Sequence, residues 1–531
     1  MVNIIGAGLA GLSAAIALAE LGIACNRISQ MPSERAQSVL AEGGVNAALD
    51  TMGERDSWQE HYDDTMRGGC DLADPNAVAA LTKAAPEIVR WLDTLGVPFQ
   101  RENGRIALRN FGGQKKKRTA YAKSSTGKAL MTALIDEARR HEAAGLIRRF
   151  PHHELAALEV AGGACRGVRI RDRYTDALLR CAGPVILAAG GLNGLFPERT
   201  TGTVYNTGDA TSIAFANGVV FGNLEMIQYH PTTVRISGKR LLVSEAARGE
   251  GGRLYVNRND ERWYFMEELY PELGNLMPRD VVSRAMEKLR SWDDCGKQVY
   301  LDMTGLREEV WRKKLPDLRE ELRHYLTLDP KTEPIPVSPG IHFFMGGIYV
   351  NQEHRTTLPG LYAAGECACQ YHGANRLGGN SMLAALYGGR VAARSVAEEE
   401  SAAGEPEALD RLSGAEQAAL TVSPVFAGEL RDALLGGLGI LRDEACITRA
   451  IEGVDALLGR GGLTEAERGR ALLGKAMLLS ALARRESRGA HYRVDYPTRG
   501  DEGFRKTTVA LRRGEDVSVS FRDIPERRAD A

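Results

Sequence analysis

The chain has 531 residues and a mass of 57.7 kDa, room for three or four domains of roughly 100–200 residues each, which excludes a single small binding module. Apolar residues make up 44% and charged residues 26%, enough for large cores and no compositional case for disorder. Lys and Arg (68) nearly cancel Asp and Glu (69), so no global field draws the protein to nucleic acid or an anionic membrane, and any anion site must be local.

In chain order, Met1–Ile5 reads as a short buried strand, followed by Gly6-Ala7-Gly8-Leu9-Ala10-Gly11 and an apolar helix through Leu21. Strand, glycine turn and helix in that order form a dinucleotide site. Gly6 permits the tight turn, Gly8 lets the backbone approach a pyrophosphate, and Gly11 lets the helix pack on the strand, so that FAD or NAD is held at the helix N-terminus. The acid expected about twenty residues later for the ribose is missing from Ala24-Cys25-Asn26-Arg27-Ile28-Ser29, so Ser29 must serve or the contact is weak. Two further strands end in small residues, Pro184–Gly191 (PVILAAGG) and Leu358–Glu366 (LPGLYAAGE). Both suit a flavoprotein, with Glu366 placed to hold the ribitol; taken alone, each is also an ordinary buried parallel strand.

Residues 406–485 carry helical apolar spacing and good helix formers, the pattern of a structural helical bundle. The charged end, RDIPERRADA, reads as a disordered tail. Eight scattered cysteines offer no C-x-x-C, no haem-attachment motif and no four-cysteine run, so neither a disulfide framework nor a zinc, haem or iron–sulfur site is expected. The start lacks a charged leader pattern, and no apolar run reaches the 18 or more residues of a membrane span. The expected location is cytoplasmic.

Further motifs resemble the flavoprotein subunits of succinate dehydrogenase and fumarate reductase, with the related L-aspartate oxidases. They are Ala41-Glu42-Gly43-Gly44, Arg118-Thr119 with Ser125-Thr126-Gly127, Gln228-Tyr229-His230-Pro231-Thr232, and Ser244-Glu245 with Arg248-Gly249-Glu250-Gly251-Gly252. The series continues through Pro278-Arg279-Asp280, His342 with Met345-Gly346-Gly347, His372-Gly373-Ala374-Asn375-Arg376-Leu377-Gly378, and Glu486-Ser487-Arg488-Gly489-Ala490-His491. The resemblance implies an α/β fold with an α+β cap: a Rossmann-like FAD-binding domain (1–230 and 343–400) interrupted by a capping domain (231–342). A C-terminal helical domain (401–490) and a C-terminal extension (491–531) follow.

The resemblance also implies the site. Gly6, Gly8, Gly11, Ser29, Ser38, Gly43, Gly44, Asp209, Glu366, Ser381 and Met382 would contact FAD; Met382 stands where leucine is usual, a volume-conserving change. His230, Ser244, His342 and Arg376 would hold the two carboxylates of a C4-dicarboxylate, where the bidentate Arg fork is favoured. Arg279 would protonate one alkene carbon of fumarate while the flavin delivers hydride to the other. An arginine acid works only where the developing carbanion is strongly basic, other cations crowd the guanidinium, and its proton is replaced at once. Glu245 and Arg248, three residues apart, match the relay that replaces it.

Two departures from the respiratory pattern narrow the reading. Ala36-Gln37-Ser38 stands where those members have S-H-T, and Gln37 cannot form the covalent bond that the histidine makes, so FAD is expected to be non-covalent and fumarate reduction the favoured direction. Aspartate oxidases carry a glutamate for the substrate ammonium where this chain has Phe111-Gly112-Gly113, and an apolar ring would leave that ammonium unpaired. L-Aspartate oxidation is therefore the alternative, beside reduction of another unsaturated acid and a flavin-binding scaffold without turnover. Electrons must come from a separate iron–sulfur subunit or a diffusible donor, and through such a partner the protein would sit peripheral to the inner face of the membrane.

Overall fold

The computed structural model describes residues 1–123, 125–399, 405–409 and 412–528. The first residues of the expected helical region, from 401, and the last three of the tail lie outside the described residues. Val2–Ile5 is buried along its whole length, as a strand covered on both faces must be. It lies third in a parallel sheet ordered Leu361–Ala363, Val185–Leu187, Val2–Ile5, Cys25–Ser29 and Ile147–Pro151. Both strands with small-residue ends thus run parallel beside the glycine-turn strand.

The helix Leu9–Glu20 is buried almost throughout because a second helix, Asn380–Ala397, crosses it. Their backbones touch: a Cβ on Gly389 would lie 2.3 Å from the Ala10 carbonyl, and Ser13 Oγ donates to the Leu386 carbonyl at 2.7 Å. This crossing brings the start of Asn380–Ala397, just after Arg376, to the same end of the sheet as the glycine turn.

Two long strands carry the chain into and out of the cap. Ile227–Ile236 and Ile335–Phe344 pair antiparallel and become the second and third strands of a six-stranded sheet whose others are Lys239–Leu242, Cys295–Asp302, Arg253–Arg258 and Glu261–Trp263. The cap buries a core of its own, including Val234, Leu254, Phe265, Met286, Leu301, Trp311 and Val337. Pairing between the long strands slips on either side of His230, at Gln228/Tyr229 and at His230/Thr233. Such irregularities re-aim side chains beside active sites.

Helices Pro424–Gly437, Glu444–Leu458 and Glu465–Ala483 follow. Thr464 opens the last with a capping box, its hydroxyl accepting from Glu467 N while the Glu467 carboxylate accepts from Thr464 N. Two readings of this region are corrected. Glu407–Leu409, expected within helical spacing, is an edge strand antiparallel to Leu178–Ala182; the open edge of that sheet outweighs the helix propensity of three residues. The tail is also not free through residue 528. Asp516–Asp523 forms a hairpin with Lys506–Arg513 that extends a sheet through Phe221–Gly222, and Asn76 then accepts from Arg528 N and donates to the Glu526 carbonyl.

Candidate active site

A cavity of about 1380 Å³ runs from the glycine turn, along the sheet end, to the underside of the cap. It exceeds the roughly 300–1,000 Å³ of an ordinary small-molecule site, as a site for a dinucleotide together with a second ligand must. Its walls include every residue expected at the site except Gly11 and Arg248.

At the dinucleotide end each glycine has a distinct steric reason. Gly6 has φ +130°, and a Cβ there would lie 2.1 Å from the Ala188 carbonyl; one on Gly11 would lie 2.1 Å from the Gly6 carbonyl. Gly8 instead lines the cavity, and a Cβ there would lie nearest the Ser38 hydroxyl, at 3.0 Å. Ser38 Oγ accepts from Leu9 N at 3.1 Å, so the 38–44 loop is tied to the first turn of the helix. A dinucleotide fits this arrangement, because Gly8 bares its backbone to the cavity at the start of the helix.

Ser29 reaches the wall, but its hydroxyl donates to the Met31 carbonyl at 2.8 Å. Asp209 also reaches it, with its carboxylate engaged by Arg470 and by the Thr207 hydroxyl. Glu366 accepts from Phe344 N at 3.1 Å, and burial pushes its carboxyl up to about 7. The Gln37 amide oxygen accepts from Thr203 N at 2.5 Å, spanning the site from one wall to the other. Met382 is buried in the first turn of Asn380–Ala397.

The cap end brings together the expected cationic residues. His230 and His342 pack edge-to-face at 5.2 Å, and the hydroxyl of Thr201 shares a hydrogen bond with His342 Nδ1 at 2.8 Å. Burial, reinforced by Arg279, holds both histidines well below their ordinary value. They are therefore neutral, and the positive charge facing an anion belongs to the arginines. Arg376 is buried, with Nη1 donating to Ser381 Oγ at 3.1 Å and Nη2 to Gln228 Oε1 at 2.9 Å. Its guanidinium lies 4.5 Å from the centre of the Phe343 ring. Burial first and Arg279 second push it down to about 9. His230 Nε2 and Arg376 Nε are buried without a hydrogen-bond partner, two polar atoms left for a ligand in the cleft.

Arg279 opens the cap helix Arg279–Leu289 and donates to Glu245 Oε2 through Nε (3.0 Å) and Nη2 (2.8 Å). Arg248 Nη2 donates to Glu245 Oε1 at 3.2 Å, and Arg248 Nη1 donates to the carbonyl of Asn275, on the flank of the cap. Burial opposes ionisation of Glu245, but the two arginines prevail and hold it below its ordinary range. A pair three residues apart on a helix is thus a buried ion pair, with the Arg248 side chain fully enclosed. Ser244 precedes that short helix without capping it and lines the cavity. Phe111 is buried against Gly43, 3.6 Å from where a Cβ there would lie.

Several residues escaped the sequence reading. Gln228 was legible only as part of the block that holds His230, and the slip in pairing at Gln228/Tyr229 means that simple strand alternation does not fix which face it takes. Glu42 was legible only as part of a glycine block, whereas burial and Glu321 push its carboxyl up to about 8. Arg109, which donates to the carbonyls of Glu42 and Gly43 from between the rings of Phe111 and Tyr121, left no sequence signal. Among the described residues, no group of three or more His, Cys, Asp or Glu could hold a metal ion, and no helix is long and apolar enough to cross a membrane.

A glycine-turn parallel sheet joined to a cap over one cleft defines a flavin-dependent oxidoreductase. The FAD binding domain family matches residues 2–382, and the Fumarate reductase flavoprotein C-term family matches 465–529. The succinate dehydrogenase flavoprotein subunit of Bacillus subtilis is 36% identical, covering 96% of this chain and 93% of its own. The 8-methylmenaquinol:fumarate reductase flavoprotein subunit of Wolinella succinogenes is 34% identical, covering 98% and 90%. The solved structure of a quinol fumarate reductase flavoprotein from E. coli superposes with a TM-score of 0.87 at 30% identity, covering 98% of this chain and 96% of that one. The chain belongs to the succinate dehydrogenase and fumarate reductase flavoprotein family and is an FAD-dependent oxidoreductase.

Proposed function

We propose that this protein reduces fumarate to succinate with non-covalently bound FAD. The observation that carries the reading is the hydrogen-bonded line Arg279, Glu245, Arg248, which starts in the cleft and leads out through the cap. Bound FAD in its reduced form supplies the hydride, and the protein supplies the proton: fumarate dianion, hydride and proton sum to succinate dianion. Arg376, His230, His342 and Ser244 grip the two carboxylates. Fixed donors and a guanidinium around one carboxylate stabilise the negative charge that builds on the substrate as hydride arrives. Arg279 gives its proton to the adjacent carbon. Arg279 is then reloaded through the ionised Glu245 carboxylate, which takes a proton from Arg248 at Oε1 and gives one to Arg279 from Oε2, and Arg248 regains its own from solvent at the Asn275 flank of the cap.

Gln37, in place of the linking histidine, supports non-covalent FAD, and a flavin without that bond favours reduction of fumarate over oxidation of succinate. Phe111 beside Gly43 offers no acid to an ammonium, which supports a dicarboxylate over aspartate. Electrons reach the flavin from a separate partner, an iron–sulfur subunit or a diffusible donor. The test is anaerobic. The purified flavoprotein is photoreduced, fumarate or iminoaspartate is added, and recovery of the oxidised flavin absorbance is followed. Fast recovery with fumarate is expected. No recovery with fumarate, together with bleaching of the oxidised protein by L-aspartate, would overturn the reading in favour of an aspartate oxidase.

A further inference from the structure

We propose that Gln228 is a positioning residue that holds the proton donor Arg279 and the carboxylate-gripping Arg376 at a fixed separation; the inference rests on the dicarboxylate reading above. Gln228 is fully buried on Ile227–Ile236, where the chain passes from the FAD-binding domain into the cap. Its single amide oxygen accepts from Arg279 Nη1 at 3.2 Å and from Arg376 Nη2 at 2.9 Å. Its amide nitrogen donates to Asn375 Oδ1 at 2.8 Å and to the Arg376 carbonyl at 2.9 Å. Every hydrogen-bonding capacity of the side chain is used. A flipped amide would turn its NH₂ toward two guanidinium groups and its oxygen toward two acceptors, so the orientation is fixed.

The ring closes through Asn375, whose Nδ2 donates to Asp280 Oδ1 at 3.1 Å, the residue after Arg279. The start of the cap helix is therefore fastened twice to the 375–376 segment of the FAD-binding domain, and both ties pass through Gln228 or its partner. Arg279 and Arg376 repel each other, so something must hold them together before a dianion arrives. A carboxylate there would pair with both arginines and take up the charge meant for substrate. An aliphatic side chain would leave the repulsion unopposed. A neutral amide oxygen does the holding without neutralising either cation.

The charged and titratable groups around this junction come from each packed element: His230 on the same strand, His342 on the paired strand, Glu245 and Arg248 on the short cap helix, Arg279 and Asp280 on the next, and Glu366, His372 and Arg376 from the FAD-binding domain. The test uses the FAD-loaded enzyme and its Gln228→Leu and Gln228→Glu variants. The probe is malonate, a dicarboxylate without a double bond, and the readout is the change in flavin absorbance on binding, measured as a function of pH. Glu42 is common to all three proteins, so only differences among them are read. Loss of the acceptor oxygen in Gln228→Leu is expected to move the alkaline limit of malonate binding to lower pH. The added charge in Gln228→Glu is expected to move it to higher pH while weakening binding at neutral pH by about tenfold or more. Fumarate turnover by Gln228→Leu is expected to fall by roughly 10²-fold, the cost of an ångström-scale misplacement.

Opposite pH shifts in the two variants are not produced by a generally loosened fold. If wild type binds malonate while both variants keep its alkaline limit, the inference is wrong and the dicarboxylate reading stands. If wild type gives no malonate signal, the dicarboxylate reading falls and the inference with it.

Discussion

Replacing Glu245 by Gln tests the proton relay at its centre. The carboxylate accepts three hydrogen bonds from two guanidinium groups, that of Arg248 buried and that of Arg279 at the cleft. A glutamine keeps one acceptor oxygen and presents an NH₂ to one of the arginines. Hydrogen bonds to charged partners contribute about 1.5–3 kcal/mol each and neutral ones about 0.5–1.5, and leaving a buried cation unpaired costs about 3–5 kcal/mol. A loss of about 3 kcal/mol in stability is expected by thermal or denaturant unfolding. Because the lowered Glu245 carboxyl contributes stability above its unfolded pKa of 4.5, and loses it as pH falls through the folded value, the variant should lose less than wild type on acidification.

The kinetic consequence is more specific. Arg279 already carries the proton for the first turnover, whereas each later one needs reloading through Glu245. Multiple turnover with fumarate should therefore fall by about 10²–10⁴, the usual worth of a positioned proton-transfer group. Reoxidation of the photoreduced flavin in a single turnover should fall far less. Stopped-flow and steady-state assays on one preparation separate the two. A variant with unchanged steady-state turnover would refute the relay.

Three other outcomes follow from the geometry. Gly6→Ala forces φ +130° on a side-chain-bearing residue and places its Cβ on the Ala188 carbonyl; strain of about 1–3 kcal/mol should lower FAD affinity tenfold or more, read as the flavin content of purified protein. Acid precipitation should release all flavin into the supernatant, and flavin retained on the polypeptide would contradict the role given to Gln37. The Glu42 carboxyl, raised from 4.5 to about 8 chiefly by burial, contributes stability that is complete below its unfolded pKa and lost as pH rises through 8. Wild type should weaken between those values, and Glu42→Gln should remove that slope in a melting series across pH.

The boundary between what sequence and structure each reveal runs between individual residues. Gly6, Gly8 and Gly11 were legible because they stand at a fixed spacing between a strand and a helix, although the atoms that Gly6 and Gly8 approach, the Ala188 carbonyl and Ser38 Oγ, lie far away in sequence. Arg279, Glu245 and Arg376 were legible because each lies in a short motif that is recognised whole. Glu407–Leu409 was not, since three residues with helix propensity become a strand only when a distant sheet edge accepts them. Arg470 and Asp209 lie 261 positions apart, and nothing local to either announces the pair.

The sequence by itself determined the cofactor class, the sheet that carries it and the residue types that line the cleft, because local backbone geometry and side-chain type suffice for these. Only the tertiary structure decided charge state and alignment. It made the histidines neutral by burying them beside arginines, enclosed Glu245 and Arg248 as a buried ion pair, and set one amide oxygen of Gln228 between two cations. Burial and long-range hydrogen bonding set proton affinities and separations, and neither is a property of any one stretch of chain.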